Sequence, residues 1–237
     1  MSDHEHLLKT EELTKLFGGL RAIDRISLTL REGEAVGVIG PNGSGKSTLL
    51  NVVMGVYAPD GGRVVYAGED ITGLPPEAIA RRGIGCAFQI AGPFAEMTVL
   101  ENMLVAGLAQ PKNSRRERAL ELLDLVSLAD LRQHKAGNIS FGQTKLLELA
   151  RLLMLDPRLI LLDEPAAGLH PVMVERMEEI IRRLQPAKTF LIIEHDVTLI
   201  SRLCGRVLVL SDGRLLAQGS LDEILNDPQV QEVYFGA

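Results

Sequence analysis

Gly40-Pro41-Asn42-Gly43-Ser44-Gly45-Lys46-Ser47-Thr48 is the stretch on which the reading of this chain turns. It fits the phosphate-loop pattern G-x-x-x-x-G-K-[ST]. Upstream, Ala35-Val36-Gly37-Val38-Ile39 is short, apolar and branched, as a buried strand is. Downstream, Ser47 to Met54 reads as a helix, with Gly55 placed to close it. Glycines here let backbone N–H groups turn inward around an anion, at the positive end of a helix dipole. Lys46 has the reach for a β- or γ-phosphate, and the Ser47 hydroxyl suits Mg²⁺. An ordinary glycine-rich turn needs neither the Lys-Ser pair nor the strand and helix on either side.

The chain around this loop has 237 residues, 46% apolar and 24% charged, ordinary values for one large α/β domain. Its net charge of −6 leaves no electrostatic footprint for a nucleic-acid partner. No apolar run reaches the length of a membrane span, and the acidic start Met1-Ser2-Asp3-His4-Glu5-His6 is unlike a signal peptide. Two cysteines, Cys86 and Cys204, make no disulfide framework and read as buried thiols of a cytosolic protein.

Leu7–Phe17 and Ile23–Leu30 read as strands joined by Gly18-Gly19, and Val64–Ala67 as another after a Pro59-Asp60-Gly61-Gly62 turn. Pro75–Gly83 reads as a short helix and Ile84–Phe88 as a buried strand ending in Gln89. Helical texture follows. Thr98-x-x-Glu101 and Ser114-x-x-Glu117 fit capping boxes, and Leu120, Leu123, Leu125 and Val126 fit one helix face. Arg115, Arg116 and Arg118 read as a solvated face. The second half alternates: helix over Ser140–Met154, strand over Leu159–Leu162, helix over Pro171–Leu184, strand over Thr189–Ile193, helix over Val197–Cys204. A hairpin over Ser211-Asp212-Gly213 and a last helix from Ser220-x-x-Glu223 complete it. The fold class is therefore α/β, a mostly parallel sheet with both faces covered.

In such a sheet, ligands gather at the carboxyl ends of the strands. Four apolar runs end there in polar residues: the phosphate loop, Gln89, Asp163-Glu164 and His195. Asp163 suits Mg²⁺. Glu164 is placed to polarise an attacking water, and His195 to touch a γ-phosphate.

At this point the chain resembles the nucleotide-binding subunits of ABC transporters, with several motifs in order over nearly its whole length. GPNGSGKST resembles Walker A, Phe88-Gln89 the Q-loop, and Ile139-Ser140-Phe141-Gly142-Gln143 the signature motif LSGGQ. Leu159 to Glu164 resembles Walker B, His195 the switch histidine, and Phe17 the aromatic that stacks on adenine. The resemblance implies one P-loop NTPase domain over 1–237, with an N-terminal antiparallel β subdomain and a helical subdomain at about 92–157. It implies ATP and Mg²⁺, the metal held through Ser47, Gln89 and Asp163, with Lys46, Glu164 and His195 as the catalytic set. It also implies a head-to-tail dimer with a second ATPase subunit, in which Ser140, Phe141, Gly142 and Gln143 of one subunit close over ATP on the other. Two transmembrane permease subunits and a solute-binding protein would complete the assembly, at the cytoplasmic face of the inner membrane.

Two positions depart from the family pattern. Phe141 stands where most members have glycine, and the adjoining Gly142 should preserve close phosphate approach. His170, in Ala166-Ala167-Gly168-Leu169-His170, stands where many members have aspartate. Phe17–Ala22, Lys145–Arg151 and the tail Val233-Tyr234-Phe235-Gly236 resemble the branched-chain amino-acid importer ATPases. Lipopolysaccharide-export and urea-import ATPases share parts of that pattern. A soluble non-transport ATPase of the superfamily is the reading from another class. Its repair form needs long coiled-coil arms, for which this chain has no heptads.

Overall fold

The computed structural model describes residues 6–87, 92–185 and 187–235. Two sheets organise them. The first is antiparallel, in the order β2-β1-β4-β5, from β1 (Leu8–Phe17), β2 (Leu20–Leu30), β4 (Gly61–Tyr66) and β5 (Glu69–Asp70). The second has six strands in the order β10-β9-β3-β8-β7-β6. Its members are β3 (Ala35–Ile39), β6 (Ile84–Ala87), β7 (Leu159–Asp163), β8 (Thr189–Ile193), β9 (Arg206–Ser211) and β10 (Arg214–Gly219). All neighbours in it run parallel except β9 and β10, which form the hairpin read from Ser211-Asp212-Gly213.

The helices are α1 (Lys46–Val53), α2 (Pro76–Arg81), α3 (Val99–Ala106), α4 (Lys112–Leu125), α5 (Phe141–Leu153), α6 (Pro171–Leu184), α7 (Val197–Leu203), α8 (Leu221–Leu225) and α9 (Pro228–Phe235). None among the described residues is long and apolar enough to cross a membrane.

Strand parity divides the core in two. Ile160, Leu162, Phe190, Ile192, Val207 and Val209 face one side and pack with α3 to α7. Leu159, Leu161, Leu191, Ile193, Leu208 and Leu210 face the other and pack with α1 and the antiparallel sheet. Side chains alternate across a strand, so a run buried on both faces must be apolar at every position. That is why these strands read as continuous apolar segments. The second cover is a sheet as much as a helix, which an apolar run does not disclose.

Several local expectations are corrected. Helix α4 starts at Lys112 after Pro111, so Ser114 lies inside the first turn with its hydroxyl on the Pro111 carbonyl, and caps nothing. Proline pre-sets the backbone for helix entry and outcompetes the Ser114-x-x-Glu117 box. The buried face of α4 is Ala119, Leu122, Leu123 and Val126, while Leu120 is exposed. Arg115 is no solvated head charge: its guanidinium donates to the Leu108 and Gln110 carbonyls and braces the α3–α4 connection. Strand β4 begins at Gly61, inside the expected turn, and the last helix is broken into α8 and α9 before Pro228. The Thr98–Glu101 and Ser220–Glu223 capping boxes form as read. Burial pushes the Cys86 thiol far above its ordinary range and the Cys204 thiol up to about 12, which disfavours the thiolate at both.

Candidate functional site

The carboxyl ends of β3, β7 and β8 meet at one cleft of about 460 Å³. Strand β3 delivers the loop 40–45, whose backbone is held in shapes that side chains resist. Gly40 has φ +154, and a Cβ there would stand 2.2 Å from the Leu210 carbonyl oxygen. Gly45, at the mouth of α1, has φ +101, and a Cβ there would stand 2.4 Å from the Ala22 carbonyl oxygen. The loop is thus wedged between β2 and the β9–β10 turn. The turn is laced to both: Gly213 N–H donates to the Ser44 carbonyl, and Asp24 N–H to the Gly213 carbonyl.

Asn42, Gly43, Gly45, Lys46, Ser47 and Thr48 line the cleft. Lys46 is only 6% exposed, with its ammonium 2.9 Å from both the Gly40 and Pro41 carbonyl oxygens. Burial pulls its pKa down, and the charges of Glu164 and Asp163 push back. Gly40, Pro41 and Ser44 shape the loop without lining the cleft.

Glu164 and His195 line the opposite wall, His195 Nε2 lying 3.0 Å from Glu164 Oε1. Glu164 adopts φ +50, uncommon outside glycine, and its N–H donates to the Ile193 carbonyl at the end of β8. Asp163 sits behind Ser47. Burial raises its carboxyl, while the Ser47 hydroxyl bonded to it and the Lys46 charge lower it. Its Oδ1 is buried and has no hydrogen-bond partner among the described residues. A buried lone pair of that kind asks for a cation. One carboxylate and one hydroxyl fit Mg²⁺, which takes a few protein oxygens and completes its shell with phosphate and water. The described residues hold no cluster of three metal-binding side chains, and such a site needs none. Gln89 and Phe88, expected beside it, lie outside the described residues.

Phe17 lies at the rim, 42% exposed, at the end of β1. The Tyr57 ring meets it edge-on at 5.1 Å, and Lys15 Nζ lies 5.5 Å from its centroid. Sequence reading missed Tyr57, whose partner is 40 positions away.

The signature residues do not line this cleft. Ser140 caps α5, its side chain accepting from Gln143 N–H while the Gln143 side chain accepts from Ser140 N–H. Phe141 is 58% exposed, and Lys145 Nζ stands 5.8 Å from its ring centroid. Gly142 has a structural demand of its own: a Cβ there would stand 2.8 Å from Met173 Cγ. His170 is the N-cap of α6, exposed, and makes no side-chain cap hydrogen bond. Replacing it with aspartate supplies the missing acceptor. His170→Asp is expected to raise unfolding stability by about 1 kcal/mol, read by thermal melting. An unchanged or lowered melting point contradicts this.

Residues 23–167 match the ABC transporter family, and residues 214–237 match the branched-chain amino acid ATP-binding cassette transporter family. The chain is 39% identical to the probable branched-chain amino acid transport ATP-binding protein LivG of Archaeoglobus fulgidus, over 98% of this chain and 96% of that one. It is 38% identical to the high-affinity branched-chain amino acid transport ATP-binding protein BraF of Pseudomonas aeruginosa, over 97% and 98%. Among solved structures, the ADP conformation of the ATP-binding cassette MJ1267 superposes with a TM-score of 0.89 at 36% identity, covering 98% of this chain and 99% of that one. A dimeric cassette, MJ0796 bound to ADP and Pi, superposes at 0.81 with 28% identity over 90% and 98%. With its phosphate loop, Glu164 and His195 in one cleft and Asp163 behind Ser47, the chain belongs to the ABC transporter family and is one of its ATP-binding subunits.

Proposed function

We propose that this chain hydrolyses ATP at the cleft to energise uptake of branched-chain or related hydrophobic amino acids. The observation that carries the ATPase reading is the convergence of Lys46, Glu164 and His195 on one cleft. Lys46 and the loop N–H groups bind the β- and γ-phosphates, and α1 adds its dipole. Glu164 orients the attacking water and accepts its proton. His195, bonded to Glu164, holds the γ-phosphate side. Asp163 and Ser47 would hold Mg²⁺, which would neutralise phosphate charge. Gln89 belongs to the same set by its motif. A single domain over 1–237, with a helical subdomain at about 92–157, carries this site.

The substrate reading rests on the relatives' names and on the family matched at 214–237. The chain works as a head-to-tail dimer, peripheral on the cytoplasmic face of the membrane. Two permease subunits dock on it, and a solute-binding protein feeds them. Ser140, Phe141, Gly142 and Gln143 act in the partner's site. The capping box of α5 presents the Ser140 hydroxyl at a helix N-terminus, where an anion is favoured.

Reconstitution with its native permease subunits in vesicles tests this reading. ATP-driven uptake of labelled leucine, isoleucine or valine is the expected result; uptake of urea alone, or ATP turnover with no uptake, overturns the solute or the transport reading. Phe17→Ala is expected to weaken ATP binding about 5- to 150-fold, since stacking on a base is worth roughly 1–3 kcal/mol. Calorimetric titration reads it, and an unchanged affinity removes Phe17 from the site.

A further inference from the structure

Glu194, the residue before His195, is only 4% exposed and forms no ion pair among the described residues. A buried carboxylate with no cation is costly unless several donors converge on it. Here the donors are backbone N–H groups of two different loops. Oε1 accepts from Ala166 N–H at 2.8 Å, in the loop after β7. Oε2 accepts from His195 N–H at 3.2 Å; burial raises the Glu194 carboxyl, and the Ala166, His195 and Asp196 N–H groups pull it back only in part. The backbone of Glu194 reaches a third element, its N–H lying 3.4 Å from the Val38 carbonyl oxygen of β3.

The Ala166 loop also carries Glu164, which is pinned on its other side. Glu164 N–H donates to Ile193 O, and Ala167 N–H to Glu164 O. The uncommon φ of +50 at Glu164 therefore persists because both ends of its turn are held, one by β8 backbone and the other by the Glu194 carboxylate.

We infer that Glu194 is a positioning residue: its carboxylate ties the Glu164 loop to the His195 loop and sets the Glu164–His195 pair for catalysis. This rests on the roles given to Glu164 and His195 above. Ordinary loop packing is the competing explanation, and it makes a different prediction. A tie acting only on stability lowers melting point and leaves turnover per folded molecule unchanged. A tie acting through Glu164 lowers kcat and spares nucleotide binding, because the Glu194 carboxylate bonds the Ala166 and His195 backbone rather than the phosphate loop.

The test uses the full-length chain with Glu194→Gln and Glu194→Ala. Glutamine keeps the volume but puts an NH₂ against one of the N–H groups, so it breaks one tie; alanine breaks both. Expected is a fall in kcat of about tenfold for Gln and about 100-fold for Ala, with the ATP dissociation constant within twofold. In the Glu164→Gln background, adding Glu194→Gln is expected to change residual turnover less than twofold, since both act on one step. If Glu194→Ala does not fold, the near-isosteric Gln variant decides alone. Unchanged kcat in folded Glu194→Gln, equal losses of kcat and affinity, or additive losses with Glu164→Gln each overturn the inference. Normal turnover by Glu164→Gln alone overturns the site reading and this inference with it. A dead Glu164→Gln beside a normal Glu194→Gln overturns only this inference.

Discussion

Glu164→Gln is expected to lower steady-state ATP turnover by about 10²- to 10³-fold, within the usual range for loss of a general base. Nucleotide affinity should stay within a few-fold. The substitution keeps side-chain shape and removes the charge, so the contacts of the phosphate loop and of Phe17 are kept, and Lys46 loses only the Glu164 field while keeping its Gly40 and Pro41 bonds. The variant should therefore accumulate in the ATP-bound state. Phosphate release under saturating ATP and Mg²⁺ measures the first effect, and calorimetric titration the second. Turnover above a tenth of wild type removes Glu164 from its assigned role.

Lys46→Ala is the second large effect, and it falls on a different step. The ammonium is nearly buried, between two carbonyl oxygens of the loop and within the fields of Asp163 and Glu164. Hydrogen bonds between charged groups are worth roughly 1.5–3 kcal/mol, so ATP should bind about 10- to 150-fold more weakly. Turnover should then be lost at every ATP concentration that wild type saturates. The fold should survive, because the loop keeps its backbone bond from Gly213 N–H to the Ser44 carbonyl when the lysine is lost. Wild-type affinity in a folded Lys46→Ala variant contradicts the assignment.

What could be read directly from the chain is what local pattern determines. The apolar runs at 35–39, 159–162 and 189–193 are strands with both faces buried, and the residues after them converge as the rule for parallel sheets requires. Capping boxes at Thr98 and Ser220 form because side chain and backbone partners lie three residues apart, and the structure adds one at Ser140. What escaped reading depends on partners distant in sequence. Glu194 looks like one more acidic residue until Ala166, 28 positions away, is placed against it. Tyr57 backs Phe17 only because β1 and the segment after α1 come together. Gly142 reads as room for phosphate, yet Met173 occupies the space its missing Cβ leaves. The Ser114 box failed for a local reason: Pro111 starts the helix earlier than a serine cap can.

This chain is proposed to hold half of each ATP site. The cleft supplies Lys46, Glu164 and His195, with Asp163 behind Ser47, while Ser140 to Gln143 do not line it and are proposed to serve another subunit. The most direct measurement is sedimentation velocity of Glu164→Gln, alone and carrying Ser140→Arg, with and without ATP and Mg²⁺. A dimer is expected only with ATP, and only when Ser140 is intact. A Glu164→Gln chain that binds ATP and stays monomeric, or one that dimerises as well with Ser140→Arg, contradicts it.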